Sequence, residues 1–168
     1  NPSRLERRLE ESVCYQCHMG GKGRILRKGK SYHDFQPGMA TEEIWTVFVS
    51  QTPTAEDGHT PRFTSHVEQM HSSPCFIGSE GRMSCTTCHD PHQSPKLEDR
   101  AAFYRTRCNS CHSDQGCSLP IAERELPPAL NSCVYCHMPK IGSSDIPHTS
   151  GSDHRVLRNP HSVPEFVE

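Results

Sequence analysis

Apolar side chains are scarce in this chain of 168 residues. Only 32% of the residues are hydrophobic and 7% are aromatic, which is little for a chain that has to bury a core of its own. Fourteen Pro and 11 Gly favour loops over long regular elements. A chain of this composition folds when bound cofactors supply the apolar surface and the crosslinks that side chains do not provide.

Long apolar runs and a strong charge excess are also lacking. No apolar run approaches the roughly 20 residues of a membrane-spanning helix, so we expect no transmembrane segment. The formal net charge of −2, with His neutral, favours neither nucleic acid nor an anionic membrane as a partner. Residues 1–11 are rich in charge and predict the start of a helix rather than a signal peptide.

Cysteine and histidine are abundant, with 10 and 12 copies. Eight of the cysteines fall in four copies of the motif Cys-x-x-Cys-His. The copies are Cys14, Cys17 and His18; Cys85, Cys88 and His89; Cys108, Cys111 and His112; and Cys133, Cys136 and His137. This motif is typical of c-type haem attachment: the two thiols bond to the vinyl groups of one porphyrin, and the imidazole is the proximal iron ligand. The sequence therefore predicts four covalently bound haems c.

Two other kinds of site also use pairs of cysteines. Four Cys-x-x-Cys pairs would make two Cys₄ zinc ribbons, or redox-active dithiols. Neither explains why a His follows every pair, and zinc ribbons would leave the remaining histidines without a purpose. Haem attachment is therefore the interpretation that we adopt.

Eight histidines lie outside the motifs, which is more than four irons need as distal ligands. They are His33, His59, His66, His71, His92, His148, His154 and His161. The supply allows bis-histidine ligation of every haem, which suits electron transfer. Met39 and Met70 are alternative distal ligands. His33, His59 and His161 are expected at the surface.

The candidate distal ligands differ in their local setting. His92 is too close along the chain to His89 to bind the opposite face of the same haem, so it either serves another iron or is an exposed loop residue. His148 and His154 lie in a polar tail that iron ligation would order; the alternative is a disordered terminus. His66 and His71 point to different sides of a helix, so that one binds iron while the other is solvated.

Cys75 and Cys117 lie outside the motifs. Haem attachment takes place in the periplasm or outside the cell, where thiols oxidise, so we expect export to one of these compartments. A Cys75–Cys117 disulfide is predicted on this ground, with two free thiols as the alternative.

The motifs are unevenly spaced along what we expect to be a single tetrahaem domain, 1–168. The first cysteines of motifs 1 and 2 are 71 residues apart, whereas the next two intervals are 23 and 25 residues. This divides the chain into a haem 1 region, 1–62, and a haem 2–4 cluster, 63–168. The fold class predicted is a multihaem cytochrome c, packed around its haems, with mainly short α-helices and loops and little β-sheet.

Several local patterns predict where these helices begin. Ser3 with Glu6 and Ser65 with Glu68 fit capping boxes. A further helix is predicted over 97–108. Residues 44–49 follow a helix-start pattern but could equally form a strand. Segments 50–62, 90–96 and 138–168 are predicted to be loops.

Residues 63–158 resemble a known family. The stretches SHVEQMHSSPCFIGSEGRMSCTTCHDPH, RCNSCHSDQGCSLP and NSCVYCHMPKIGSSDIPHTSGSDHR resemble the tetrahaem module of the cytochrome c-554-like group, which is often fused to tetratricopeptide repeats. The resemblance implies that His66, His92, His148 and His154 are the distal ligands, and it strengthens the disulfide prediction. This sequence has no repeat region, so the partner-binding role of the repeats does not carry over.

Two classes of function compete. A pure electron carrier needs six-coordinate haems; its partners would be redox proteins or copies of itself, stacked head to tail in an extracellular filament. A multihaem redox enzyme of the nitrite or hydroxylamine type needs one haem with an open position. Because spare histidines exceed the irons, we favour the carrier and predict no enzymatic activity.

Overall fold

The computed structural model describes residues 2–49, 65–113, 116–142 and 150–158. Some predicted features lie outside these ranges, namely His59, His148, His161 and the loop 50–62. The α-helices are α1 (Arg7–His18), α2 (His66–Ser72), α3 (Pro74–Gly78), α4 (Cys85–Cys88), α5 (Arg100–His112), α6 (Ile121–Arg124) and α7 (Cys133–His137). The strands are β1 (Gly23–Leu26), β2 (Trp45–Phe48), β3 (Lys140–Gly142) and β4 (Ser150–Ser152).

Short helices and loops dominate the described ranges, and strands are few, as the composition predicted. Short 3₁₀ turns at Pro2–Arg4, Tyr32–Asp34, Thr41–Glu43 and Leu97–Asp99 add to the helical content. None of the described helices is long and apolar enough to cross a bilayer. The coarse fold prediction is thus confirmed, and the haem-packed character of the fold stays a prediction.

Of the two predicted capping boxes, the one at Ser65 was right and the one at Ser3 was wrong. Glu68 accepts hydrogen bonds from the backbone N and the hydroxyl of Ser65, at 2.9 and 2.7 Å, at the start of α2. The capping box of Ser3 was wrong, because α1 begins three residues later with Glu6 as its N-cap. Pro2–Arg4 forms a separate 3₁₀ turn before the helix instead.

A small apolar core lies behind the sheet formed by β1 and β2. These strands pair antiparallel, with Leu26 opposite Trp45. Trp45 is buried together with Phe35 and Ile44, and Leu26, Met39 and Val47 pack against them. The strand alternative for residues 44–49 is therefore the correct one, since alternate side chains of β2 enter this core.

The C-terminal segment holds a second sheet that the sequence did not predict. Strands β3 and β4 pair antiparallel, with Ile141 opposite Gly151, so the interpretation of 138–168 as loop was wrong in this part. Ile141 is the buried apolar residue of the sheet. A strand of three residues, rich in Gly and Ser, has too few apolar alternations to be recognised from its sequence. The loop predicted at 90–96 is confirmed.

Candidate functional site

Each of the four motifs is helical: motifs 1 and 3 end the longer helices α1 and α5, whereas motifs 2 and 4 form the short helices α4 and α7, with His89 directly after α4. The helical hydrogen bonds run through the motif, as from His89 N to Cys85 O at 2.9 Å and from Met138 N to Val134 O at 2.9 Å. In a helix, residues three and four positions apart share a face. Both thiols of a motif, and the imidazole that follows them, therefore project from one side of the chain, as attachment of one porphyrin requires.

The motifs are brought together in two pairs. The Cys85 thiol hydrogen-bonds to Cys14, which lowers the pKa of Cys14 and raises that of Cys85. The Cys108 thiol likewise hydrogen-bonds to Cys133, which raises the pKa of Cys108 and lowers that of Cys133. Motif 1 thus lies against motif 2 in spite of the long segment between them, and motif 3 lies against motif 4.

Glu10 strengthens the contact between the first two motifs. Its carboxylate accepts hydrogen bonds from the hydroxyl of Ser84, at 3.3 Å, and from that of Thr86. Glu10 is buried, and Ser84 directly precedes Cys85. The helices that carry motifs 1 and 2 are therefore held together by a side-chain contact as well as by their cysteines.

Four histidines from distant parts of the chain form a continuous row of rings. The ring centroids of His18 and His66 lie 5.4 Å apart, those of His66 and His154 4.6 Å, and those of His154 and His89 6.2 Å. The row thus begins and ends on the histidines of motifs 1 and 2. Two of the predicted distal ligands, His66 and His154, lie between them.

Two of the predicted iron ligands have a fixed ring orientation. The Nδ1 of His137 donates a hydrogen bond to the carbonyl of Leu157 at 2.7 Å, and the Nδ1 of His154 donates to the carbonyl of Ser152 at 2.8 Å. A carbonyl only accepts, so the proton is on Nδ1 and the Nε2 lone pair is left for a metal. The Tyr104 hydroxyl lies 3.5 Å from the Nδ1 of His89.

His92, another predicted distal ligand, is not brought to a motif among the described residues. His92 is exposed in the loop after α4, where its backbone N donates to Asp90 at 2.9 Å, and it makes no ring contact with a motif histidine in the described ranges. His148 lies outside the described residues. Met39 packs against the core of Phe35 and Trp45, and Met70 is buried in α2.

His71, the other member of the predicted pair, is partly exposed and takes part in a network around Glu11. His71 lies 3.4 Å from the Glu11 carboxylate and 3.4 Å from the Tyr15 hydroxyl, and it stacks on Phe76. Arg7 and Tyr15 also hydrogen-bond to Glu11, at 3.1 and 2.8 Å. This network was not predicted, although the spacing of Arg7, Glu11 and Tyr15 by four residues was a signal for it.

The predicted Cys75–Cys117 disulfide is not formed. Both residues are free cysteines, and they lie near different motifs. Burial raises the pKa of Cys75, and the nearby charge of Cys111 raises it further. Burial likewise raises the pKa of Cys136, and there the nearby charge is that of Cys117. The prediction rested on an oxidising compartment, which permits a disulfide but does not bring two thiols together.

The arrangement of the donors fits haem better than zinc. No group of three or more His, Cys, Asp or Glu that could hold a metal ion is formed by the described residues, so the tetrahedral Cys₄ cluster of a zinc ribbon is not present among them. Two imidazoles that bind one iron from opposite sides, through bonds of about 2 Å, have ring centroids about 6 Å apart. The distances within His18–His66 and His89–His154 are close to this value.

Two buried N–H donors lack a hydrogen-bond acceptor among the described residues, and the propionates of a haem would be suitable acceptors. Trp45 Nε1 and Arg124 Nε have no hydrogen-bond partner in the described part of the chain. An unpaired buried donor is costly, and a haem propionate is an acceptor of the kind that would satisfy it. Trp45 follows motif 1 in the chain and Arg124 precedes motif 4.

Comparison of this chain with protein-family models, with curated proteins and with solved structures gave no match. The resemblance to the cytochrome c-554-like group therefore stays a prediction.

Proposed function

We propose that this protein is an electron-transfer protein that binds four haems c, one at each Cys-x-x-Cys-His motif. The proposal is supported by the helical conformation of each motif, in which the spacing of the thiols and the imidazole puts them on one side. When bound, the haem irons would supply the one-electron chemistry, and the chain would fix their ligands and exclude water.

The row of imidazoles His18, His66, His154 and His89 is the observation that carries the proposal. It supports His18 with His66 as the ligands of the first iron, and His89 with His154 as those of the second. His92 and His148 are then left as the candidate distal ligands for motifs 3 and 4. Because an iron with two imidazole ligands has no open position, this ligation favours electron transfer over substrate chemistry.

Haem content is the first test. The protein is produced in a host that matures c-type cytochromes, and haem is counted by its alkaline pyridine spectrum against protein determined by amino-acid analysis. We expect four haems per chain. Replacing Cys133 and Cys136 by Ser should lower the count to three, and replacing Cys75 and Cys117 by Ser should leave it at four. A haem-free protein that binds zinc instead would refute the proposal.

Low-temperature EPR of the oxidised protein separates the carrier from the redox enzyme. Four low-spin signals are expected for a carrier. A high-spin signal from one haem at full occupancy would favour an enzyme with an open iron, and activity with nitrite or hydroxylamine would then have to be measured.

An extracellular filament is a more specific form of the same proposal. It requires that copies of the chain stack head to tail, so that the haem of motif 4 in one copy meets the haem of motif 1 in the next. Electron microscopy of the haem-loaded protein tests this form directly. Observation of monomers alone would remove the filament and leave the four-haem carrier intact.

A further inference from the structure

A strongly basic segment follows motif 1. Residues 19–33 contain no Asp or Glu, and their five basic residues are Lys22, Arg24, Arg27, Lys28 and Lys30. Because the whole chain has a net charge of −2, the remainder of the chain carries an excess of seven negative charges. The segment is therefore a local exception to the charge of the protein.

The structure leaves most of these charges at the surface. Lys22, Arg27, Lys28 and Lys30 are exposed, and none of them takes part in an ion pair within the described ranges. Lys28 and Lys30 lie on a turn closed by a hydrogen bond from Lys30 N to Arg27 O at 2.9 Å. Gly29 has a φ of +76° in this turn, a conformation that glycine adopts without strain.

The carboxylates of the adjoining segments already have partners. Glu42 pairs with Arg8 at 3.4 Å, and Asp34 accepts a hydrogen bond from Ser31 N at 2.7 Å. The backbone carbonyl of Glu42, and not its carboxylate, accepts from the Arg27 guanidinium. These acidic groups therefore do not neutralise the lysines of the turn.

An apolar patch lies among the basic residues. Ile25 and Phe48 project from the same face of the sheet, since Ile25 is opposite Thr46 and Gly23 is opposite Phe48. They are 61% and 53% exposed, whereas Trp45 on the other face is 2% exposed. Gly23 has no side chain to cover Phe48. We call the cationic surface the set formed by Lys22, Ile25, Arg27, Lys28, Lys30 and Phe48.

Arg24 fixes the sheet to motif 1 from the face opposite to Ile25 and Phe48. Its guanidinium donates hydrogen bonds to the carbonyl of Gln16, at 2.7 Å, and to that of Met19, at 2.6 Å. Gln16 lies between the two cysteines of motif 1, and Met19 directly follows His18. A protein bound on the cationic surface would therefore be separated from the first haem attachment site by the two-stranded sheet alone.

We propose that the cationic surface docks an acidic surface of a protein electron carrier. An exposed apolar centre with a charged rim is the usual anatomy of a transient protein interface, and opposite charges accelerate and orient such encounters. The inference rests on the proposed function for the identity of the partner, but the binding itself does not require that any haem react.

The test measures binding with both proteins oxidised, so that no electron is transferred. The probe is an acidic plant-type [2Fe–2S] ferredoxin, titrated against the haem-loaded protein by isothermal calorimetry. We expect binding that weakens as ionic strength rises, because exposed charges are screened over about 10 Å at 0.1 M salt. The K28E/K30E variant should bind at least about tenfold more weakly, since like charges would then face the acidic probe.

Matched variants isolate the position of the charges from their number. K96E/R100E makes the same change in net charge at exposed residues outside the cationic surface, and we expect less than about a twofold effect, as for a charge remote from the interface. K28R/K30R keeps the charge and should bind as the parent protein does. Circular dichroism confirms that each variant is folded.

Several outcomes would overturn the docking proposal. The first two are equal weakening of ferredoxin binding by K28E/K30E and K96E/R100E, and ferredoxin binding that does not respond to salt. A third is that K28E/K30E loses only self-association of the protein. A fourth is a charge-dependent affinity for anionic phospholipid vesicles with none for ferredoxin. Haem content is measured on the same samples. Absence of haem would refute the proposed function, whereas a four-haem protein with any of these outcomes would refute the docking surface only.

Discussion

The rings of His66 and His154 contact each other edge to face, with their centroids 4.6 Å apart. One residue begins α2 and the other follows β4, so the contact joins two distant segments of the chain. Gln69, one turn after His66, accepts a hydrogen bond from the backbone N of His154 at 2.8 Å. The same helix therefore contacts the His154 ring and holds the backbone that carries it.

Removal of a distal histidine should open one haem and leave the others unchanged. We expect His66→Ala and His154→Ala each to convert one of the four haems from low spin to high spin, because each removes one imidazole from one iron. EPR of the oxidised variants measures the change. His33→Ala is the control, since His33 is exposed and outside the row. A high-spin signal in the control, or none in either variant, would contradict the assignment.

The Gln69 contact should contribute to stability. Gln69 is buried, and its replacement by Leu leaves the His154 backbone N without this acceptor. We expect a loss of about 1–3 kcal/mol in the free energy of unfolding, measured by denaturant titration. Gln93→Leu, in the exposed loop after α4, should change it by less than about 0.5 kcal/mol. Equal effects of the two substitutions would show that the contact is not stabilising.

The buried Glu11 carboxylate should make stability fall in acid. Burial raises the pKa of Glu11, but hydrogen bonds from His71 and Tyr15 and the charges of His71 and Arg7 outweigh it, so the pKa lies below its usual value of 4.5. A lowered folded-state pKa stabilises the protein above the unfolded-state pKa, and this contribution is lost as the pH falls through the folded-state pKa.

Glu11→Gln should remove that part of the pH dependence. At neutral pH the variant should be less stable by about 1–3 kcal/mol, because hydrogen bonds to a charged group are lost. Below pH 4.5 the difference from the parent protein should shrink. Unfolding free energies measured across this range check the prediction. Glu98→Gln, at an exposed position, serves as the control, and a constant difference at all pH values would argue against the assignment.

Loss of Arg24 should loosen the sheet from the end of α1. Arg24→Leu removes the donors to the carbonyls of Gln16 and Met19, and we expect destabilisation by about 1–3 kcal/mol. Hydrogen exchange should become faster in residues 19–26. Arg27→Leu is the matched control, because the Arg27 side chain is exposed and its guanidinium bonds only to the Glu42 carbonyl in the described ranges. Equal hydrogen-exchange rates in residues 19–26 of the two variants would show that Arg24 does not anchor the sheet to α1.

Cys75 and Cys117 should titrate as two free thiols. Burial raises the pKa of the Cys75 thiol, so it should react slowly in the folded protein. After unfolding without reductant, we expect two reactive thiols per haem-loaded chain, and none in the variant with Ser at both positions. A count of zero in the parent protein would restore the disulfide that the sequence predicted.

The local part of the candidate site could be predicted from the sequence. Within a motif, the spacing of the two cysteines and the histidine fixes their relative position on one helical turn, whatever surrounds it. The capping pair Ser65 and Glu68 is local in the same sense and was found correctly, whereas the same pattern at Ser3 and Glu6 did not mark the start of α1. The absence of long apolar runs likewise predicted short elements.

Tertiary packing decided the rest. The sequence could not tell that His66 meets the motif histidines while His71 binds Glu11, because both lie on one short helix and only its neighbours distinguish its faces. Nor could it tell that motif 1 lies against motif 2, since distance along a chain does not set distance in space. The cysteines and histidines thus specify the chemistry through local spacing, and contacts between remote segments specify which of them meet.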